Sequence, residues 1–171
     1  MADLSRLAAR LMTMDDRTWR RPANPWSGWT RFLLGLPPLL LAIWSRGWIG
    51  ARAVLPVALA LGWIWLNPRL FPEPRRHDAW MSRAVLGERV WIEHRAAVAP
   101  HHRRAARLLA WASLPGLAAT AAGLAWFWWE GVVFGAVLAV LPKAWFCDRM
   151  VWILADWERG GRAAPGMEGL A

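Results

Sequence analysis

The sequence holds one cysteine, Cys147, one lysine, Lys143, and no tyrosine. A single thiol excludes an intramolecular disulfide and any multi-cysteine metal cluster. Acidic residues are also scarce, 12 against 21 basic ones, so the +9 formal charge is carried almost wholly by arginine. Nucleophile motifs, phosphate-cradling glycine loops and carboxylate-rich metal signatures are absent. None of the four histidines, His77, His94, His101 and His102, falls in an apolar stretch, which argues against an intramembrane bis-histidine haem. Four are also too few for the His-rich boxes of membrane di-iron hydroxylases and desaturases. Residues 1–14 lack the unbroken apolar region of a cleavable signal peptide, because Arg6 and Arg10 interrupt the leucines.

What is present is apolar residues, arginine and tryptophan. Hydrophobic residues make up 57% of the 171-residue chain, above the roughly 45–50% of soluble proteins, and the length suits one domain. A basic balance fits nucleic acid, an anionic membrane surface or topology signals. The apolar runs decide for the membrane and against nucleic acid, which would need a basic soluble fold. Four stretches, at about 28–45, 48–66, 107–129 and 131–154, approach the ~20 helical residues that cross a hydrocarbon core of about 30 Å. Only the third holds a charge-free run long enough to span, from Leu108 to Trp129. The first two span if Arg31, Arg46 and Arg52 snorkel to the interfaces; a shallow re-entrant hairpin over 32–66 is the rival. Pro37, Pro38, Pro56, Pro115 and Pro142 predict kinks, tolerated where neighbouring helices satisfy the freed carbonyls.

The expected fold is therefore all-α: an integral membrane domain of four short, kinked transmembrane helices arranged as two hairpins, over 28–66 and 105–154. Residues 1–25 form a cytoplasmic amphipathic N-terminus, with Leu4, Leu7, Ala8 and Leu11 on one face. Residues 67–104 form a basic cytoplasmic loop, and 155–171 a tail. Within the loop, Trp80, Ala84, Gly87 and Trp91 make a second interfacial stripe, though Gly87 disfavours helix. On this topology 19 of the 21 basic residues share one side, leaving Arg46 and Arg52 opposite. The positive-inside rule puts that side, and both termini, in the cytoplasm. Tryptophans at 26, 29, 44, 48, 63, 65, 111, 126, 128 and 129 border the stretches, as an indole with an apolar body and one N–H donor prefers.

Three groups of motifs are distinctive: Ala23-Asn24-Pro25-Trp26, Asn67-Pro68-Arg69-Leu70-Phe71-Pro72, and Trp145-Phe146-Cys147-Asp148-Arg149-Met150-Val151-Trp152. Together with Met14-Asp15-Asp16 and Leu86-Gly87-Glu88-Arg89-Val90-Trp91, they make the chain resemble an uncharacterised family of small prokaryotic multi-pass membrane proteins. Pro22 departs from the histidine expected before Ala-Asn-Pro-Trp. The resemblance implies a fold; it implies no activity and no catalytic residue. The expected location is the bacterial inner membrane.

Two candidate sites follow from the residues themselves. The first is a polar cluster at the cytoplasmic interface, joining Asn24, Arg31, Asn67 and Arg69 to Asp15, Asp16, Glu88, Asp148 and Arg149. Asn-Pro favours a helix boundary, which is the plainer reading of both pairs. On a continuous helix Asp148, Trp152 and Asp156 share one side, and charges near membrane depth are usually paired or functional. The second site is a basic patch, His101, His102, Arg103 and Arg104, suited to anionic lipid headgroups rather than to zinc. No cofactor is expected. The leading expectation is a non-catalytic accessory, assembly or lipid-interacting protein, alone, as a homo-oligomer or within a larger membrane complex. The alternatives are a small oligomeric transporter or channel, and an enzyme acting on a lipid headgroup.

Overall fold

The computed structural model describes residues 24–74 and 76–165. The expected N-terminal amphipathic helix, and Asp15 and Asp16 after it, lie outside the described residues. Every element among the described residues is helical. Three stretches are long and apolar enough to cross a membrane: Pro25–Leu70, Pro100–Trp126 and Trp129–Arg159, with mean hydropathy of 1.7, 1.5 and 1.5.

Helix α1 (Pro25–Leu34) begins where Asn24 accepts the Trp26 N–H at 3.0 Å, with Pro25 at a position that needs no donor. The helix breaks at Gly35, where an added Cβ would come within 2.3 Å of the Arg31 carbonyl oxygen, and α2 (Leu36–Trp44) restarts over Pro37 and Pro38. A short helix α3 (Arg46–Ile49) and a 3-10 turn over Gly50–Ala53 reverse the chain, with Gly50 at φ 57°. Helix α4 (Val54–Leu70) then runs back against α2 and α1. It continues through Asn67 and Pro68, a turn beyond the boundary expected at 66. Asn67 finds its partners across the helix pair instead of capping its own end, so only the first Asn-Pro marks a helix start.

Residues 67–104 are not simply a loop. They carry α5 (Trp80–Glu93), which packs against the end of α8 (Trp129–Arg159). Ala84, Gly87 and Trp91 are buried, so the stripe expected to face lipid is largely a packing surface. Gly87 makes the fit possible: a Cβ there would stand 1.9 Å from the Met150 carbonyl oxygen. Around this contact Leu86, Val90, Trp91, Val98, Met150, Ile153 and Leu154 form the buried core. Helices α6 (Pro100–Ala112) and α7 (Leu114–Trp126) follow as one run with a step at Ser113, where Pro115 opens the second segment. Prolines 37, 38 and 115 thus start helical segments, where the absent N–H is harmless; Pro68 and Pro142 sit inside helices.

Helix α8 has 31 residues, about 46 Å at ~1.5 Å per residue. That exceeds a hydrocarbon core of about 30 Å, and its C-terminal part packs against α5. Its first half packs antiparallel on α7 through small residues. A Cβ on Gly116 would lie 2.3 Å from the Ala139 nitrogen, and one on Gly135 would lie 2.4 Å from the Thr120 nitrogen. Small residues that admit close backbones are the usual means by which helices associate in lipid. The two helices are joined by Phe127, at φ 56°, and Trp128.

Candidate functional site

One group of polar residues gathers among α1, α4, α5 and α8. Ser27 and Asn67 are fully buried. The Ser27 hydroxyl donates to Asn67 Oδ1 at 2.9 Å, and Asn67 Nδ2 donates to Thr30 Oγ1 at 2.8 Å. Ser27 and Thr30, three apart, share the face of α1 that meets α4. Asn24, besides capping α1, donates from Nδ2 to the Pro72 carbonyl at 3.1 Å. The two asparagines therefore fasten the start of α1 to the end of α4 and the segment after it. Gly28 lets Met81 of α5 sit against α1, since a Cβ would come within 2.2 Å of the Met81 Cγ.

A charged group lies beside this network. Lys143 Nζ of α8 is 3.7 Å from Glu88 Oε1 of α5 and 4.5 Å from the centre of the Phe146 ring. Arg31 donates from Nε to the Ser27 carbonyl at 3.4 Å and lies within electrostatic reach of Glu88 and Cys147. Cys147, one turn beyond Lys143, is buried and free. Asp148 belongs to a separate clamp: it accepts the Trp80 indole N–H at 3.1 Å on one oxygen and that of Trp152 at 3.2 Å on the other. Trp80 in turn stacks on Trp29 of α1, with ring centres 6.0 Å apart.

The structure thus unites Asn24 and Asn67 in one fastening and sets Arg31 and Glu88 beside it. Asp148 reaches α1 only through stacked indoles. Asp148 and Arg149 form no ion pair with each other among the described residues, and Arg149 Nε is buried with no hydrogen-bond partner. Arg69 turns to its own helix, donating to the Trp65 carbonyl and lying over the Trp65 ring. Sequence reasoning missed Ser27, Thr30 and Met81. Their only signal was two hydroxyls at helical spacing opposite a lone asparagine.

The basic patch divides. Arg104 and His101 are exposed, but His102 turns inward and is 4% exposed, its Nε2 2.8 Å from Asp156 Oδ2 of α8. At the opposite end of the helices, Arg46 donates to the carbonyls of Leu124 and Ala125 and stacks on Phe127. A hollow there is lined by Ile43, Arg46, Gly50, Val54, Val57 and Phe127, with no carboxylate or histidine on its wall.

The family assignment rests on the whole chain. It belongs to DUF6653, a family of unknown function. The family's sequence profile covers residues 4–168, which includes both asparagine motifs and the Asp148 segment. Neither a curated protein nor a solved structure matches the chain. Membership in DUF6653 accounts for the likeness to an uncharacterised family and carries no activity with it.

Proposed function

We propose that this DUF6653 member is a non-catalytic, lipid-interacting protein of the bacterial cytoplasmic membrane. In this reading it crosses the bilayer four times, as two hairpins, with both termini inside. Pro25–Leu70 counts twice, because α4 packs back on α1 and α2 and, at 17 residues, reaches the lower limit for a span. Arg46 and Arg52 then occupy the outer turn, and the remaining basic residues lie inside.

The observation that carries the lipid reading is the outer face of α6. His101, Arg104, Arg107, Leu108 and Trp111 are all exposed and follow one another along the helix. Polar and basic residues come first, then an apolar side chain, then an indole. That order suits a helix entering the bilayer through anionic headgroups, where each basic residue contributes about 1 kcal/mol. Glu88 and Asp148 support the same reading, because Glu88 engages Lys143 and Asp148 engages two indoles.

Native mass spectrometry of the protein extracted in mild detergent tests this. Anionic phospholipid should remain bound to the wild type, and the Arg104→Gln/Arg107→Gln double variant should lose most of it. A lipid-free wild-type monomer would defeat the proposal. So would equal retention by the two proteins, or no preference for anionic over zwitterionic lipid.

A further inference from the structure

His101 and His102 lie in the first turn of α6, and Asp156 lies in the last turns of α8, against which α6 packs. One donor atom from each lies within 4.8 Å of the other two. Adjacent residues on a helix do not normally face one another. Yet these two rings approach to 4.1 Å between centres and reach the same carboxylate. A simple ion pair between His102 and Asp156 would leave that convergence of His101 without a reason.

We infer that His101, His102 and Asp156 form a binding site for one divalent transition-metal ion, with zinc the best match, which clips the start of α6 to the end of α8. Two imidazole nitrogens and one carboxylate oxygen are the donors zinc takes when a fourth position is left to water. Zinc bonds of about 2.0–2.2 Å place neighbouring donors about 3.3–3.5 Å apart in a tetrahedron. The 2.8 Å contact between His102 and Asp156 needs to open only slightly, and His101 must swing inward. Both motions are side-chain rotations, since His101 is exposed and Asp156 half-exposed.

One surrounding feature suits an ion. The other oxygen of Asp156 receives Arg159 Nη1. That contact orients the carboxylate as outer partners commonly orient metal ligands.

The test uses full-length protein without a histidine tag, stripped with EDTA and held in nanodiscs. Zinc chloride is titrated by calorimetry, with thermal unfolding followed in parallel. The wild type should take up one zinc per chain and unfold at a higher temperature, reversibly with EDTA. His101→Ala removes an exposed ring, so its metal-free unfolding should match the wild type while zinc affinity falls at least about tenfold. Asp156→Asn should lose affinity likewise, and His94→Ala, outside the cluster, should bind as the wild type does. No zinc uptake by the wild type would overturn the site. Uptake that survives both His101→Ala and Asp156→Asn would overturn it too.

Discussion

Asn67 is the residue on which the first two long helices depend for registration. Its side chain takes one hydrogen from Ser27 and gives one to Thr30, with no water-exposed surface on Asn67 or Ser27. Hydrogen bonds between membrane helices average about 0.6 kcal/mol and rarely exceed ~1.7, so Asn67→Ala should destabilise the protein by about 1–2 kcal/mol. Denaturant titration in mixed micelles measures this; a loss near zero would mean that Ser27 and Thr30 satisfy themselves on their own helix. Thr30 already bonds the Trp26 carbonyl at 2.7 Å, which keeps the expected loss modest. At this scale the sequence was partly legible. A lone asparagine in an apolar helix announces that it needs a partner, but its distant partners are set by how α1 crosses α4. For Asp148, i, i+4 spacing correctly joined it to Trp152. Trp80 lies 68 residues away in sequence, and no local pattern points to it.

Between elements, glycine decides how closely helices approach. Gly87→Ala would drive a methyl group into the backbone of Met150, where no side chain can rotate away. Overpacking of this kind costs about 1–3 kcal/mol, and Gly87→Ala should fall at or above the upper end because α5 must lift off α8. Gly62→Ala is the matched control: nothing lies within 4 Å of where its methyl group would stand, and helix propensity alone should stabilise it by up to about 1 kcal/mol. Comparing the two unfolding midpoints checks the packing directly. Apolar run length was enough to locate the long helices, because a long apolar run favours helix in lipid even where a basic residue interrupts it. The role of α5 was hidden: its glycine lowers helix propensity, and its indoles suit a bilayer surface as well as a protein one. Burial against α8 resolves that ambiguity, and burial depends on residues more than 50 positions away.

For the molecule as a whole, the arrangement of charge makes the topology testable. With Cys147 replaced by serine, a cysteine placed at Ala51 should react with a membrane-impermeant maleimide in intact cells. One placed at Arg162 should react only after permeabilisation. The reverse pattern, or equal labelling, would overturn the four-span orientation. On the proposed four-span topology, nineteen basic residues fall on one side against two on the other, a bias that needs no contact map. Which end holds the packed core was not readable, because α5 carries Arg83, Glu88, Arg89 and Glu93 and reads as a surface segment until its partner on α8 is known.

The link at Phe127 and Trp128 bears on how such a protein is made. Two residues separate the end of α7 from the start of α8, and Glu130 is the one charged residue in the sequence between Arg107 and Lys143. In the proposed topology a ribosome delivering this hairpin has almost no polar loop to push across the bilayer. The two helices can partition together as one closed unit, already matched along their glycine faces. The first hairpin has no such ease, since its outer turn carries Arg46 and Arg52 across. Arg46 then finds the open carbonyls at the end of α7, so the easily inserted hairpin offers the harder one its docking point. Biogenesis of the second hairpin should therefore proceed without the first, while the first hairpin expressed alone should be the less stable of the two.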